Sequence, residues 1–392
     1  MSIKLVNDDS LTNIANAIRI KGSISGTLEF PDGFVSAIQA IPSGITPSGT
    51  LSITSNGTYD VGSFASADVN VSGGGGGISI DDIAMRAISG AINGSTSEIK
   101  PYAFIHCGSI THASFPNATT LGSFAFQLCS ALSAVSMPNA NLIGQNAFAY
   151  CSALSEADFP NVQSVSSAAF IGCTQLERVS FPIVSFLSEN AFRGCSALSE
   201  VVFPSVSTIG AGAFGACKSL TLVDIPSAKS VGEGAFADCS HLTSLNFSEA
   251  TFAGKSAFAY CTNLETINAP KIQNISSYAF VSCQKLQSAV FPEAIRVNAS
   301  AFAGCYALSM ASFDNAFDFG SYAFRDCGQL MSIYILGSSV ATIRNTTFMN
   351  TPLSANMSER IGSAYVPASL VSAYKIASIW STISDRIVAY EG

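Results

Sequence analysis

Cysteine has the widest chemical reach of any residue type in this chain, as thiolate nucleophile, metal ligand or disulfide partner. All eleven stand 22 residues apart: Cys107, Cys129, Cys151, Cys173, Cys195, Cys217, Cys239, Cys261, Cys283, Cys305 and Cys327. No CxxC pair or Cys–His cluster supplies the four ligands of a zinc site, so no metal is expected. An odd count with one thiol per period reads as a column of small buried hydrophobes rather than as disulfides. Stacked parallel side chains would have to twist out of register to bond.

Other reactive types fare no better. The run SGGGGGISIDD, with Gly73 to Gly77, lacks the Lys-Ser/Thr of a phosphate loop and reads as a linker. His106, His112 and His241 have no Ser or Cys at a catalytic spacing. The carboxylates Glu156, Asp158, Glu200 and Asp224 fall in two columns at 22-residue multiples, so they can share a face. Paired carboxylates hydrolyse glycosides, but a shallow face without aromatic walls reads as solvated acid. No catalytic residue and no cofactor are assigned, and the chain is expected not to be an enzyme.

The period that places these residues also sets the architecture, because self-similarity at 20 to 50 residues marks a repeat protein. One copy reads AFRGCSALSEVVFPSVSTIGAG, from Ala191 to Gly212. In it Leu198, Val201 and Phe203 follow the spacing of a leucine-rich repeat strand, with Val201 and Phe203 alternating inward. Pro204 ends the strand, since proline cannot donate to a ladder. Val206 and Ile209 predict a second short extended segment, and AF-x-x-C predicts a tight helical turn. Each copy is one coil whose apolar side chains find partners only in the coils above and below. The expected fold is a repeat solenoid of eleven 22-residue repeats, mainly short β-strands with tight helical turns, with a small α+β N-terminal module and a C-terminal cap.

The pattern divides the 392 residues into five parts. Residues 1–72 form an attachment module, with a helical hairpin over 7–41 and a small β unit around the Asn56-Gly57 turn. Residues 73–77 are the glycine linker, 78–102 an N-terminal cap with a helix from about Asp81 to Ile92, 103–346 the solenoid and 347–392 the C-terminal cap. At the far end the period slips to 24 between Phe324 and Phe348, and Thr351 replaces the cysteine. Pro367 is placed to start a helix, with the single tryptophan, Trp380, behind it.

Charged residues make up 11% of the chain and apolar ones 48%, so much of it is buried. A formal charge of −8 without a Lys/Arg-rich stretch argues against nucleic acid. The N-terminal MSIKLVNDDSLTNIANAIRIKGS lacks a basic start followed by an apolar core, and no apolar run of membrane-spanning length follows. Synthesis in the cytoplasm without membrane insertion is expected.

The motif L-x-x-I-x-x-x-AF-x-x-C-x-x-L-x-x-V-x-F-P, over residues 99 to about 350, resembles the BspA-type leucine-rich repeat of bacterial surface proteins. YVPASLVSAYK near the end is similar to the tail of such proteins. The resemblance implies adhesion to host proteins and surfaces, although a secretion signal is not recognised. LTNIANAIR, PSGTLSITSNGTYDV and SADVNV, over about 70 residues, are similar to N-terminal regions of phage and prophage tail structural proteins of Gram-positive bacteria. Together these imply a phage tail appendage or receptor-binding protein carried on the virion, docked to other tail or baseplate proteins through residues 1–72. A bacterial cell-surface adhesin binding host proteins is the alternative, and a glycan-degrading tail enzyme a third.

Ligand contact is expected on the outward strand columns, which vary while the inward columns stay constant. The candidates are Glu156, Asp158, Arg178, Glu200, Leu222, Asp224, Asn246, Asn268 and Tyr334. Arg and aromatic residues are the commonest strong contacts at interfaces, which singles out Arg178 and Tyr334. The expected partner is a host cell-surface protein or glycan, and the chain is expected to assemble as a homo-oligomer, with a trimer favoured.

Overall fold

In the computed structural model, residues 89–354 and 361–391 are described, together with the backbone of Leu51–Ser52 and Val69–Asn70. Those two dipeptides pair in parallel. The helical hairpin over 7–41, the Asn56-Gly57 turn, the glycine run and the first part of the helix expected from Asp81 lie outside the described residues. The described end of that helix is instead a strand, Gly90–Asn93, which pairs in parallel with Ile110–Ser114. Ile92 is fully buried, so this strand seeds the first coil and covers its apolar edge.

Each repeat is one coil of a parallel ladder with two strands. In the coil of Glu200–Val202 the first strand buries Val201 and exposes its neighbours on either side. Phe203 continues inward, its N–H donating to Asp224 O of the next coil at 2.9 Å. Proline follows where the ladder stops, and its carbonyl is used elsewhere: the side chains of Asn139, Asn161 and Asn315 donate to Pro116, Pro138 and Pro292 of the preceding coils at 2.8 Å. The second strand, Thr208–Ile209 in this coil, belongs to one continuous eleven-stranded parallel sheet running from Glu98–Ile99 to Asp318–Phe319.

The AF-x-x-C segment is not a helical turn. Arg193 and Cys195 donate to the residues three back, Asn190 O and Phe192 O, at 3.1 Å. The alternate residues Asn190, Phe192 and Gly194 donate instead to Ala211, Ala213 and Gly215 of the next coil at 2.8 Å. Asn190 and Gly194 take left-handed backbone, with φ of 55° and 75°. A helix would spend every N–H internally and leave no ladder on this edge; alternating the backbone hand splits the donors between turn and neighbour.

The core is built of columns. Twelve phenylalanines, one per coil from Phe104 to Phe348, form a continuous ring stack with centroids 4.9 to 5.9 Å apart. The stack ends on Trp380, 6.0 Å from Phe348. Glycine recurs after the second strand because the preceding coil's backbone passes there: a Cβ on Gly210 would lie 2.5 Å from the carbonyl carbon of Ser188.

The C-terminal cap contains the expected helix, Val371–Ile376, preceded by a 3-10 turn, Ala368–Leu370, that Pro367 leads. It also adds two strands that the repeat period did not announce. Ser363–Pro367 pairs with Ser332–Ile335, and Ile387–Tyr390 pairs with Ser363–Pro367, both in parallel. Their inward residues Ala364, Val366 and Ile387 close the apolar end of the array.

Candidate binding surface

All eleven cysteines are buried thiols outside any disulfide. From Cys129 to Cys327 each thiol donates to the carbonyl of the Phe in the preceding coil, at 3.0 to 3.2 Å. Burial pushes these ten thiols above their ordinary range, Cys173 and Cys217 to about 12. A protonated, hydrogen-bonded, inaccessible thiol is a packing element and not a nucleophile. Among the described residues no three His, Cys, Asp or Glu side chains converge on a point where a metal could sit.

The outward columns of the first strand are where the sequence placed ligand contact. Register brings Glu156 opposite Arg178, and Glu200 opposite Leu222. Arg178 forms an ion pair with Glu156, both side chains more than half exposed. In the other column Asp224, Asn246 and Asn268 lie in successive register, with Asn268 Nδ2 donating to Asn246 Oδ1 at 2.9 Å. Asp158 lies opposite Ser180 in the same face. Leu222 is 48% exposed, an apolar side chain standing among these polar ones. The four carboxylates considered for glycoside chemistry do not converge: Arg178 takes Glu156, and the strand face around them is open to solvent.

Tyr334 is set apart at the C-terminal end, half-buried rather than free. Its ring stacks on Tyr365 at 4.7 Å, and Tyr390 meets it edge-on at 5.8 Å. Sequence reasoning missed Tyr365 and Tyr390 because their strands sit outside the 22-residue phase. The available signal was alternation alone, Ala364 and Val366 inward with Tyr365 between them. Tyr150 and Tyr260 are about half exposed but belong to the turn edge, both with left-handed backbone. There the Tyr150 ring lies over Gly172 of the next coil, 2.5 Å from where a Cβ would stand.

The family model described as a BspA type leucine rich repeat region matches in overlapping stretches, residues 88–199, 163–271, 185–309 and 229–356. Among solved structures, a leucine-rich repeat protein from Bacteroides ovatus ATCC 8483 is 18% identical, with 75% of this chain and 91% of that chain covered and a TM-score of 0.53. A leucine rich cell surface protein from Faecalibacterium prausnitzii A2-165 is 20% identical over 78% of this chain and 91% of the other, with a TM-score of 0.43. The pneumococcal vaccine antigen PcpA is 15% identical over 77% and 79%, with a TM-score of 0.44. A search of curated proteins finds no match. Likeness at this identity speaks for the fold alone. Among the described residues no helix is long and apolar enough to cross a membrane.

Proposed function

This chain belongs to the BspA-type leucine-rich repeat family, and from that premise we propose that it is a non-enzymatic adhesion protein. It holds a bacterial host surface through the outward columns of its first strands. The observation that carries this reading is the register itself. Glu156 and Arg178, Glu200 and Leu222, and Asp224 with Asn246 and Asn268 present differing side chains at a constant interval over a core whose Phe and Cys columns do not change. A ladder of this kind adds many weak contacts along one face, and coils can change specificity without touching the buried columns.

Carriage on a phage tail, with residues 1–72 docking to tail or baseplate proteins, is favoured by the similarity of those residues to tail proteins. Family membership favours a second reading, a cell-surface adhesin. Both use the same face, and immunogold labelling of purified particles and of intact cells separates them.

The face is tested by replacing Arg178, Leu222 and Asp224 with Ser and Tyr334 with Ala in one variant. Fold is checked by circular dichroism and thermal melting, and adsorption to host cells is measured. Loss of adsorption with an intact fold supports the reading; adsorption equal to wild type rejects this face and sends the search to the edge of Tyr150 and Tyr260.

A further inference from the structure

The second strands carry a face unlike the first. In the eleven-stranded sheet, Leu142, Ser164, Phe186, Thr208, Ser230 and Phe252 stand in one outward column, each in register with the next. Leu142 is 40% exposed and Phe186 and Phe252 are each 43% exposed. From Thr120 to Asn274 the column holds no charged residue, whereas the first-strand face carries Glu156, Arg178, Glu200 and Asp224 within four coils.

Hydroxyl use separates this column from its neighbour. One position earlier in each coil, Thr119, Ser185, Ser207 and Thr251 donate to carbonyls of the preceding coil at 3.1 to 3.4 Å, so those hydroxyls are spent on holding coils together. The hydroxyls of Ser164, Thr208 and Ser230 have no partner among the described residues and stay half exposed. Phe186 and Phe252 are three coils apart, about 14 Å at the usual strand spacing, with Thr208 and Ser230 between them. Two exposed rings with two unpartnered hydroxyls between them therefore make up an uncharged slot in this column.

We infer that this slot is a binding site for a neutral oligosaccharide, separate from the first-strand face. A sugar ring offers both things the slot lacks. Its C–H face packs on the electron-rich face of a phenyl ring, and its hydroxyls bond Thr208 Oγ1 and Ser230 Oγ. An added peptide strand is excluded here, because every strand of these coils already has a neighbour on each side and offers no edge. A purely apolar partner would strand these hydroxyls away from water without replacing their hydrogen bonds. An acidic glycan gains nothing from a column without cations, although Lys229 stands one position before Ser230 in the adjoining column.

The test uses the full chain on a glycan microarray carrying neutral, sialylated and sulfated glycans, followed by calorimetric titration with the best neutral oligosaccharide. Neutral glycans should bind, and added acid groups should not raise the signal. Phe186→Ala with Phe252→Ala should weaken binding at least about tenfold, the loss expected for two stacking rings. Thr208→Val with Ser230→Ala should weaken it about threefold or more, as for lost neutral hydrogen bonds. Because all four side chains reach solvent, circular dichroism and melting should be unchanged. The four-residue variant of the first-strand face should bind the same glycan as wild type, so the two surfaces fail separately. Absence of binding to any neutral glycan at millimolar concentration, selection of acidic glycans, or full binding by the double phenylalanine variant would each overturn the assignment.

Discussion

The Cys195 thiol donates to the Phe170 carbonyl of the preceding coil at 3.2 Å. That carbonyl also accepts the Cys173 N–H at 3.2 Å, so from Cys129 onward each thiol completes a pair of donors on a buried oxygen. A small apolar residue with one weak donor meets the requirement. In the native protein at neutral pH these thiols should be inert to aromatic disulfide reagents. Under denaturant a titration should find eleven reactive thiols, and several reactive thiols in the folded chain would contradict the column.

Alkaline pH should unfold the array steeply. The folded-state values lie above the ordinary 9.0, at about 12 for Cys173 and Cys217, because burial penalises the thiolate. The folded chain therefore keeps protons that the unfolded chain releases. The associated stability is whole below about pH 9 and is lost as pH rises toward the folded values. Each such thiol adds to the fall of stability with pH in that window. Melting temperature followed from pH 7 to 11 should fall with a slope that Cys195→Ala with Cys217→Ala makes shallower. An unchanged slope in that variant would count against the assignment.

Phe214 stacks between Phe192 at 5.5 Å and Phe236 at 5.1 Å, in the middle of the ring column. Phe214→Ala should cost about 3 to 5 kcal/mol, the usual loss for truncating a buried phenylalanine. Chemical denaturation measures it. A loss below about 1 kcal/mol would mean that the column is not the source of stability it is taken to be.

What could be read from residues alone was whatever the core restricts. Phe, Cys, Leu and Pro repeat because buried columns and ladder ends admit one chemistry, so period, coil and strand were legible from Ala191 to Gly212. The alternating hand of the AF-x-x-C edge was not, because residues as different as Tyr102, Phe124, Asn190 and Gly212 take positive φ in one column. A backbone rule is hidden when the side chains at its positions are free to vary. The cap strands around Tyr365 and Tyr390 lie out of phase, so Tyr334 was found without the rings that hold it. The slot of Phe186 and Phe252 escaped because its two-residue strands carry too little alternation to mark an outward side.

Two glycines should respond differently to the same chemistry. Gly210 is required for space, since a Cβ would meet the Ser188 and Glu189 backbone at 2.5 and 2.7 Å. Gly210→Ala should cost about 2 kcal/mol or more, as overpacking does. Gly194 has φ of 75° and no atom closer than 3.7 Å to an added Cβ. The same column holds Leu128, Tyr150 and Asp238 with positive φ in other coils. Gly194→Asn should therefore cost no more than about 1 kcal/mol, the scale of a left-handed residue that tolerates the conformation. Equal losses at the two sites, read from denaturant midpoints, would mean that the close approach at Gly210 is not what selects glycine.

The cap should hold the last coils and little else. Trp380 Nε1 donates to Ala341 O at 2.7 Å, and the Ala341 N–H donates to Tyr374 Oη at 3.0 Å, so two cap side chains clamp one residue of the final turn. The Trp380 ring also closes the phenylalanine stack at Phe348 and meets Tyr374 edge-on at 5.1 Å. Trp380→Ala removes that ring, leaves the Ala341 carbonyl without its donor and should cost about 3 to 5 kcal/mol locally. A coil touches only its neighbours, so the damage should fade with distance along the array. Hydrogen exchange of the intact chain should show amides near Phe319, Phe324 and Phe348 losing protection, while those near Phe126 and Phe148 keep theirs. Uniform loss across all coils would show that the solenoid unfolds as one cooperative unit, and unchanged protection at Phe348 would show that the ring stack ends without Trp380.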